Sequence, residues 1–173
     1  MILPRTTPLL AALLMTAGCR GDGDIDSMVG TYVGTLDCSA AVPDPDNDGE
    51  TVALDFTVDT TLDLTDQDER TYQGSLDTVT TYTWQSRAVR EEAVYDVTLF
   101  QPRAQGGQPV EIQSSACAAY TLHIDDVSDG GVCEATDAGD EPTAPPPPSG
   151  DLRWDGADRI ALSGSSCDGT LER

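Results

Sequence analysis

Hydrophobic and polar residues alternate with a period of two along most of the chain after residue 28. Between Val52 and Val58, for example, apolar side chains at even positions alternate with polar or small ones at odd positions. Such alternation is typical of a β-strand with one face in a core and the other in solvent. The same pattern predicts strands over Tyr32 to Cys38, Val52 to Leu64, Tyr72 to Trp84, Val94 to Phe100, Val110 to Ile112, Tyr120 to Ile124, Leu152 to Trp154, Ile160 to Leu162 and Gly169 to Leu171.

Helical periodicity is weak throughout the chain. No stretch of about ten residues repeats its apolar positions at the 3.6-residue spacing of an amphipathic helix. The best helix candidate, Ser86 to Ala93, is short and is equally compatible with a turn into the fourth strand. We therefore expect an all-β fold for a single domain over residues 28–173, a small antiparallel barrel or sandwich of about seven or eight strands stabilised by disulfides.

A short motif, Thr-Tyr-x-Gly-x-Leu-Asp, occurs at residues 31–37 and again at residues 71–77. With two good copies, we interpret it as two strands under the same packing constraint rather than as a repeat architecture. A glycine among large inward residues often marks a place where a sheet bends or coils.

An acidic and proline-rich segment covers residues 134–150 and includes four successive prolines, Pro145 to Pro148. Proline has no N–H group to donate to a neighbouring strand, so such a run is not expected inside a sheet. We expect a disordered loop exposed to solvent.

The charge of the chain restricts its partners. It carries 31 acidic against 9 basic residues, a formal net charge of −22. This surface repels phosphate, so we expect no binding of nucleic acid and no attachment to anionic lipid through basic residues. The acidic residues are spread over loops and outward strand positions, which favours a role in solubility over recognition of a cationic partner.

The first 18 residues have the organisation of a secretory signal peptide. Arg5 precedes the apolar run Leu9 to Met15, and small residues follow. The run is far shorter than the ~20 residues of a membrane-spanning helix. We therefore expect residues 1–18 to be a cleaved signal peptide of an exported protein.

The end of this segment, Thr16-Ala17-Gly18-Cys19, resembles the lipobox of bacterial lipoproteins. In that family the small residues admit the signal peptidase and the cysteine thiol receives a diacylglycerol. The resemblance implies lipidation at Cys19, membrane attachment through the lipid and a flexible tether over residues 19–27. Arg20, rather than an aspartate, follows the cysteine, which implies the outer membrane of the cell envelope. An ordinary secretory signal with an unmodified Cys19 is the alternative.

Four further cysteines form an even set, as expected for cystines in an oxidising compartment. Cys38 ends the first predicted strand and Cys167 precedes the last, so a closed sheet favours their pairing. Cys117 and Cys133 bracket one strand and a turn, and a bridge between them closes a loop of about 15 residues. We favour Cys38–Cys167 and Cys117–Cys133 over the other two connectivities. Zinc binding is not expected, because the chain has one histidine and no Cys-x-x-Cys spacing.

The most specific internal motif is the run from residue 44 to residue 50, Asp-Pro-Asp-Asn-Asp-Gly-Glu. It resembles the calcium loops of EF-hands, dockerins and thrombospondin type 3 repeats. The resemblance makes calcium a candidate cofactor, with the carboxylates of Asp44, Asp46 and Asp48, the carbonyl of Glu50 and the twelfth position, Asp55, as ligands. Asp55 lies in a predicted strand, so an acidic loop with solvated charges is the alternative and is favoured.

No catalytic residue is predicted. His123 is the one histidine, and no Gly-x-Ser-x-Gly motif accompanies it, so we interpret it as a surface residue. Trp84 and Trp154 fall on inward faces and are expected in the core rather than on a sugar.

These patterns together predict a non-enzymatic, lipid-anchored protein of the cell envelope. Its β domain would present loops to an unknown protein or small-ligand partner. The alternatives are a periplasm-facing hydrolase or accessory enzyme that uses loop carboxylates, and a purely structural envelope component. A barrel with a cavity would favour ligand carriage, and a filled interior would favour a surface module.

Overall fold

The computed structural model describes residues 27–44, 47, 49–102, 108–134, 142–164 and 166–173. Within these residues there are nine β-strands. In chain order they are β1 (Gly30–Pro43), β2 (Thr51–Asp68), β3 (Thr71–Trp84), β4 (Arg87–Phe100), β5 (Gln108–Ile124), β6 (Val127–Gly130), β7 (Asp151–Trp154), β8 (Arg159–Ser163) and β9 (Cys167–Glu172). This part of the chain contains no helix that is long and apolar enough to cross a membrane.

Eight of the nine strands described form a closed antiparallel ring. Each strand from β1 to β4 pairs with the next along the chain, and β4 pairs with β5. The ring continues through β7, β8 and β9, and β9 returns to β1, while β6 forms a hairpin with the end of β5. The predicted all-β fold is therefore confirmed, and the sheet closes as a barrel.

Tight turns connect the long strands. Gln85 and Ser86, between β3 and β4, have φ angles of 49° and 63°. Two successive residues at positive φ are typical of a type I′ hairpin, whose twist matches that of the flanking strands. The helix candidate over residues 86–93 is therefore wrong: Ser86 belongs to the turn, and the residues after it belong to β4.

The predicted apolar stripes point into the barrel. On β1, Tyr32, Leu36 and Cys38 are buried, while the residues next to them in the chain are half-buried or exposed. Leucine side chains fill the half of the interior nearest the β2–β3 turn. They are Leu36, Leu62, Leu64, Leu99, Leu152, Leu162 and Leu171.

The end of the barrel at this filled half is closed by the first and last described residues. Met28 is fully buried. Arg173 donates a hydrogen bond from Nη2 to the carbonyl of Ser27 at 2.9 Å, and its guanidinium carbon lies 5.0 Å from the ring centroid of Tyr32. The hydrogen bond and the cation–π contact hold the two ends of the domain together. We call this the closed end.

The repeated glycine motif marks two places where neighbouring backbones come close. A Cβ atom on Gly34 would lie 2.2 Å from the carbonyl oxygen of Thr170, and one on Gly74 would lie 1.9 Å from that of Asp63. Real Cβ atoms do not approach so closely, so glycine is required where the sheet coils at these points. The two copies therefore share one packing constraint.

Both predicted disulfides are present. Cys38–Cys167 joins β1 to β9, where the last strand returns to the first. Cys117–Cys133 joins β5 to the chain just after β6. The first bridge reinforces the closure of the ring, and the second fixes the start of the connection to β7.

Candidate ligand-binding cavity

The half of the barrel nearest the β1–β2 and β3–β4 turns contains a cavity of about 310 Å³. Its wall is formed mainly by residues of β1 to β4 and by the proline segment, which we define as residues 142–150, with Ser166 and Cys167 beside them. The apolar lining comprises Ala40, Val42, Leu54, Phe56, Val58 and Pro145 to Pro148. A water molecule occupies about 30 Å³ in the liquid, so this space corresponds to about ten water molecules, or to a small organic molecule.

Two short inward side chains that follow one another on β3 contribute to the cavity. They are Thr78 and Thr80, and they lie between the larger Leu76 and Tyr82. Both threonines are buried, at 6% and 8% exposure, and Thr78 donates its hydroxyl to the carbonyl of Ala93 at 3.3 Å. Close packing needs large side chains opposite small ones, and these short side chains leave volume unfilled.

One carboxyl group, that of Glu91, lines the cavity. Glu91 lies on the inward face of β4 between the buried residues Val89 and Ala93. The phenol groups of Tyr82 on β3 and Tyr120 on β5 each donate a hydrogen bond to Glu91 Oε1 at 3.3 Å. Burial raises the pKa of Glu91 above its ordinary value, and these two hydrogen bonds act in the opposite direction.

The phenol groups around Glu91 remain protonated at neutral pH. Burial, and after it the charge of Glu91, raises the pKa of Tyr82 and of Tyr95 to about 12. The same causes raise the pKa of Tyr120. The ring of Phe56 lies 6.2 Å from that of Tyr82, measured between centroids. The carboxyl group is therefore surrounded by hydrogen-bond donors and aromatic rings.

The proline segment lies beside the middle of β5, which, among the described residues, has a neighbouring strand on one side only. β7 pairs with residues 108–110 of β5, and β6 pairs with residues 122–124, so the described residues of β5 between them pair with β4 alone. The proline segment leads from one pairing to the other. Ala144 donates its N–H to the carbonyl of Val132 at 3.0 Å, and the phenol of Tyr95 donates to the carbonyl of Pro145 at 2.7 Å.

This arrangement differs from the predicted disordered loop over residues 134–150. Residues 135–141 lie outside the described residues, but residues 142–150 pack against the barrel and Pro148 reaches its interior. Proline rings are apolar and lose little conformational entropy on ordering, so they cover a cavity without joining the sheet. The disulfide at Cys133 holds the preceding chain close to β5.

The described members of the predicted calcium set lie outside the cavity. Asp44 and Glu50 flank the β1–β2 turn, and the N–H of Asp44 donates to the carbonyl of Glu50 at 2.9 Å. Asp55 is exposed on β2. Asp46 and Asp48 lie outside the described residues, and no group of three or more potential metal ligands occurs among those described. The calcium site stays a prediction.

The remaining residues singled out in the sequence have no part in the cavity. Cys19 lies outside the described residues. His123 is half-buried on β5, with Nε2 3.9 Å from Glu92 Oε1. Trp154 is in the core at 2% exposure, as predicted, whereas Trp84, the last residue of β3, is half-buried because the strand ends there.

Sequence reasoning missed Glu91, although the chain contained a signal for it. Every second residue of β4 from Val89 to Leu99 faces inward and is apolar except Glu91. Treating residues 86–93 as a helix or turn hid this alternation. Once the strand begins at Arg87, the alternation places a carboxyl group inside the barrel, and an isolated charge in a cavity is a candidate functional group.

Comparisons with family models, with curated proteins and with solved structures found no match to this chain. Its function is therefore inferred from the geometry of the barrel itself. The features that bear on function are the cavity, the carboxyl group of Glu91 and the proline segment.

Proposed function

We propose that this protein is a lipid-anchored protein of the cell envelope that binds a small organic ligand inside its barrel. The observation that carries the proposal is the cavity of about 310 Å³. Ligand sites in proteins are concave, mostly apolar and supplied with a few well-placed polar groups. The cavity has this composition, with Leu54, Phe56 and Val58 in its wall and Glu91 as its charged group.

The contrast between the two halves of the barrel favours a ligand over a purely structural role. Protein interiors normally reach the packing density of organic crystals, and unfilled volume lowers stability. The half near the closed end is packed with leucines, which leave a void of only about 40 Å³, as a structural component requires. The other half keeps its volume, and a bound ligand is what would complete its packing.

The chemistry of the cavity favours binding over catalysis. Hydrolysis of glycosides, for example, needs a second carboxyl group as nucleophile or base beside the acid. Among the described residues that line the cavity, Glu91 is the one carboxyl group, and its polar neighbours are phenols with raised pKa values.

The position of Ser27, the first described residue, is compatible with an anchored binding protein. Ser27 lies at the closed end, where Arg173 holds its carbonyl. A tether over residues 19–27 reaches at most about 30 Å when fully extended. A lipid on Cys19 would therefore attach at the end opposite the cavity and leave the cavity directed away from the membrane. The two disulfides support export, because cystines persist in oxidising compartments.

A substitution that fills the cavity tests the binding function. Ala40 lines the cavity, whereas its neighbour Ala41 is exposed. We expect 2-phenylethanol, a neutral probe of suitable size, to shift the amide NMR signals of cavity residues in the wild type and in Ala41→Phe. Ala40→Phe should abolish these shifts because its ring occupies the same space.

Two results would overturn parts of this proposal. Equal shifts in wild type and Ala40→Phe, or no shift in a folded wild type with this probe or with its amine and carboxylate analogues, would refute ligand binding in the cavity. Mass spectrometry of membrane-extracted protein should show a mature chain that begins at an acylated Cys19. An unmodified thiol at that position would refute the anchor and leave the cavity proposal intact.

A further inference from the structure

Glu91 has no positive partner among the residues that the structure describes. The chain contains no lysine. Of the arginines described, Arg87 pairs with Asp125 and Arg90 with Glu92, and neither of these arginines lines the cavity. The cavity lining includes no basic side chain among the described residues. A carboxylate withdrawn from water is costly unless an opposite charge or hydrogen bonds compensate it.

The hydrogen bonds to Glu91 compensate its charge in part and fix its orientation. Tyr82 and Tyr120 approach from strands on either side of β4, and both donate to Oε1. Among the described residues these are the hydrogen bonds that Glu91 receives, so Oε2 is available to a donor on a ligand. Two neutral donors stabilise the ionised form of a carboxyl group and hold it in place, but they do not neutralise it.

The surroundings of Glu91 also suit a cation. Phe56, Tyr82 and Tyr95 place three aromatic rings in the cavity wall. Aromatic faces attract cations, most strongly where water is excluded. The aliphatic side chains and prolines of the same wall require an apolar body on the ligand. The net charge of −22 raises the local concentration of cations at low ionic strength.

We propose that the ligand of this cavity is an organic cation, a compact amine whose ammonium group pairs with the carboxylate of Glu91 and whose apolar body lies against Phe56, Val58 and the proline segment. This proposal rests on the proposed ligand-binding function and specifies its ligand class. The ammonium group donates to Oε2, and the tyrosine hydroxyl groups keep Oε1 occupied. An anionic ligand of the same size is repelled by the same carboxylate.

Three matched probes test the charge preference on the full mature protein. Phenethylamine, 2-phenylethanol and phenylacetate share a ring and a short chain and differ in charge. We expect isothermal titration calorimetry to show that the amine binds at least about tenfold more tightly than the alcohol, because a hydrogen bond to a charged group contributes a free energy of that size. The anion should not bind. Glu91→Gln keeps the shape and an acceptor oxygen and should remove the preference for the amine. Glu92→Gln, which changes an outward carboxyl group on the same strand, should retain it.

The pH dependence gives a second measurement that needs no variant. The titratable groups that face Glu91 among the described residues are Tyr82, Tyr95 and Tyr120, and all three remain protonated below pH 9. Binding of the amine to the wild type should therefore weaken as acid protonates Glu91, while binding of the alcohol should stay constant.

The outcomes separate the two proposals. Equal affinity for amine and alcohol, or an amine preference that survives in Glu91→Gln, overturns the cation proposal and leaves ligand binding supported. If Glu91→Gln fails to fold, the comparison of probes and the pH dependence in the wild type decide the question. Absence of binding by all three probes overturns the ligand-binding function together with the cation proposal.

Discussion

Removal of the Cys38–Cys167 disulfide tests how the ring of strands is stabilised. The bridge joins residues 129 apart in the sequence. In the chain-entropy relation, a loop of that length contributes about 5 kcal/mol by restricting the unfolded chain. Cys117–Cys133 spans 16 residues, for which the same relation gives about 3 kcal/mol. We therefore expect the double variant Cys38→Ala/Cys167→Ala to lose about 2 kcal/mol more unfolding free energy than Cys117→Ala/Cys133→Ala.

Packing should widen this difference, because Cys38 and Cys167 are buried whereas Cys117 is half-buried. Small domains have about 5–15 kcal/mol of stability in total, so the first double variant should lose a large part of its stability.

Urea unfolding followed by circular dichroism measures both the free energy and the m-value. The m-value should rise in both double variants, because an unbridged unfolded chain exposes more surface. The two pairs serve as controls for each other, since each variant keeps one bridge. If the Cys117→Ala/Cys133→Ala variant loses as much stability as the other or more, the stabilisation does not follow loop length, and the reasoning from ring closure is refuted.

Further predictions concern packing, titration and the closed end. Gly74→Ala should lower the unfolding free energy measured in urea by at least about 1–3 kcal/mol, because the added Cβ would meet the neighbouring backbone. Ser75→Ala, the control, should change it little. Equal effects of the two substitutions would contradict this prediction. Because burial raises the pKa of Glu91 in the folded state, wild-type stability falls as pH rises from the unfolded pKa through the folded one. Glu91→Gln should therefore be more stable than the wild type at pH values within and above that range, and it should have no advantage below it. Unfolding curves at several pH values would check this. Arg173→Ala removes a cation–π contact and hydrogen bonds and should lower the unfolding free energy by about 1–2 kcal/mol. Arg159→Ala breaks an exposed ion pair and should lower it by less than about 1 kcal/mol. Thermal unfolding that ranks Arg159→Ala as the more damaging change would contradict the account of the closed end.

The strands predicted best from the sequence are those in which the alternation of apolar and polar residues agrees with the burial of side chains in the fold. β1 and β2 each have a long apolar stripe, broken on β2 by the buried Thr60, and burial follows the stripe at Tyr32, Leu36 and Val58. The disulfide pairing also followed from a simple constraint, since a closed sheet brings its first and last strands together. The start of β4 was missed because Glu91 interrupts the stripe and the turn before it carries no glycine, so neither usual signal of a hairpin is present.

The proline segment shows why burial of loops is harder to predict. Four prolines exclude a strand, and that inference is correct for residues 145–148. Whether such a segment lies in solvent or on the barrel depends on an apolar surface of matching shape elsewhere in the chain. Tyr95, which donates to the carbonyl of Pro145, is 50 residues away from it in the sequence.

The sequence by itself determined an all-β chain, the inward face of most strands, the glycines at two coiled positions and a favoured set of disulfides. These properties follow from the period-two geometry of a strand and from the conformational limits of single residues, and both are local. Tertiary structure alone decided that the sheet closes around unfilled volume, that Glu91 meets Tyr120 from 29 residues away, and that the prolines complete the wall. A cavity is the difference between the volume that a closed ring encloses and the volume that its inward side chains occupy, and neither quantity exists until the strands have their register and the ring has closed.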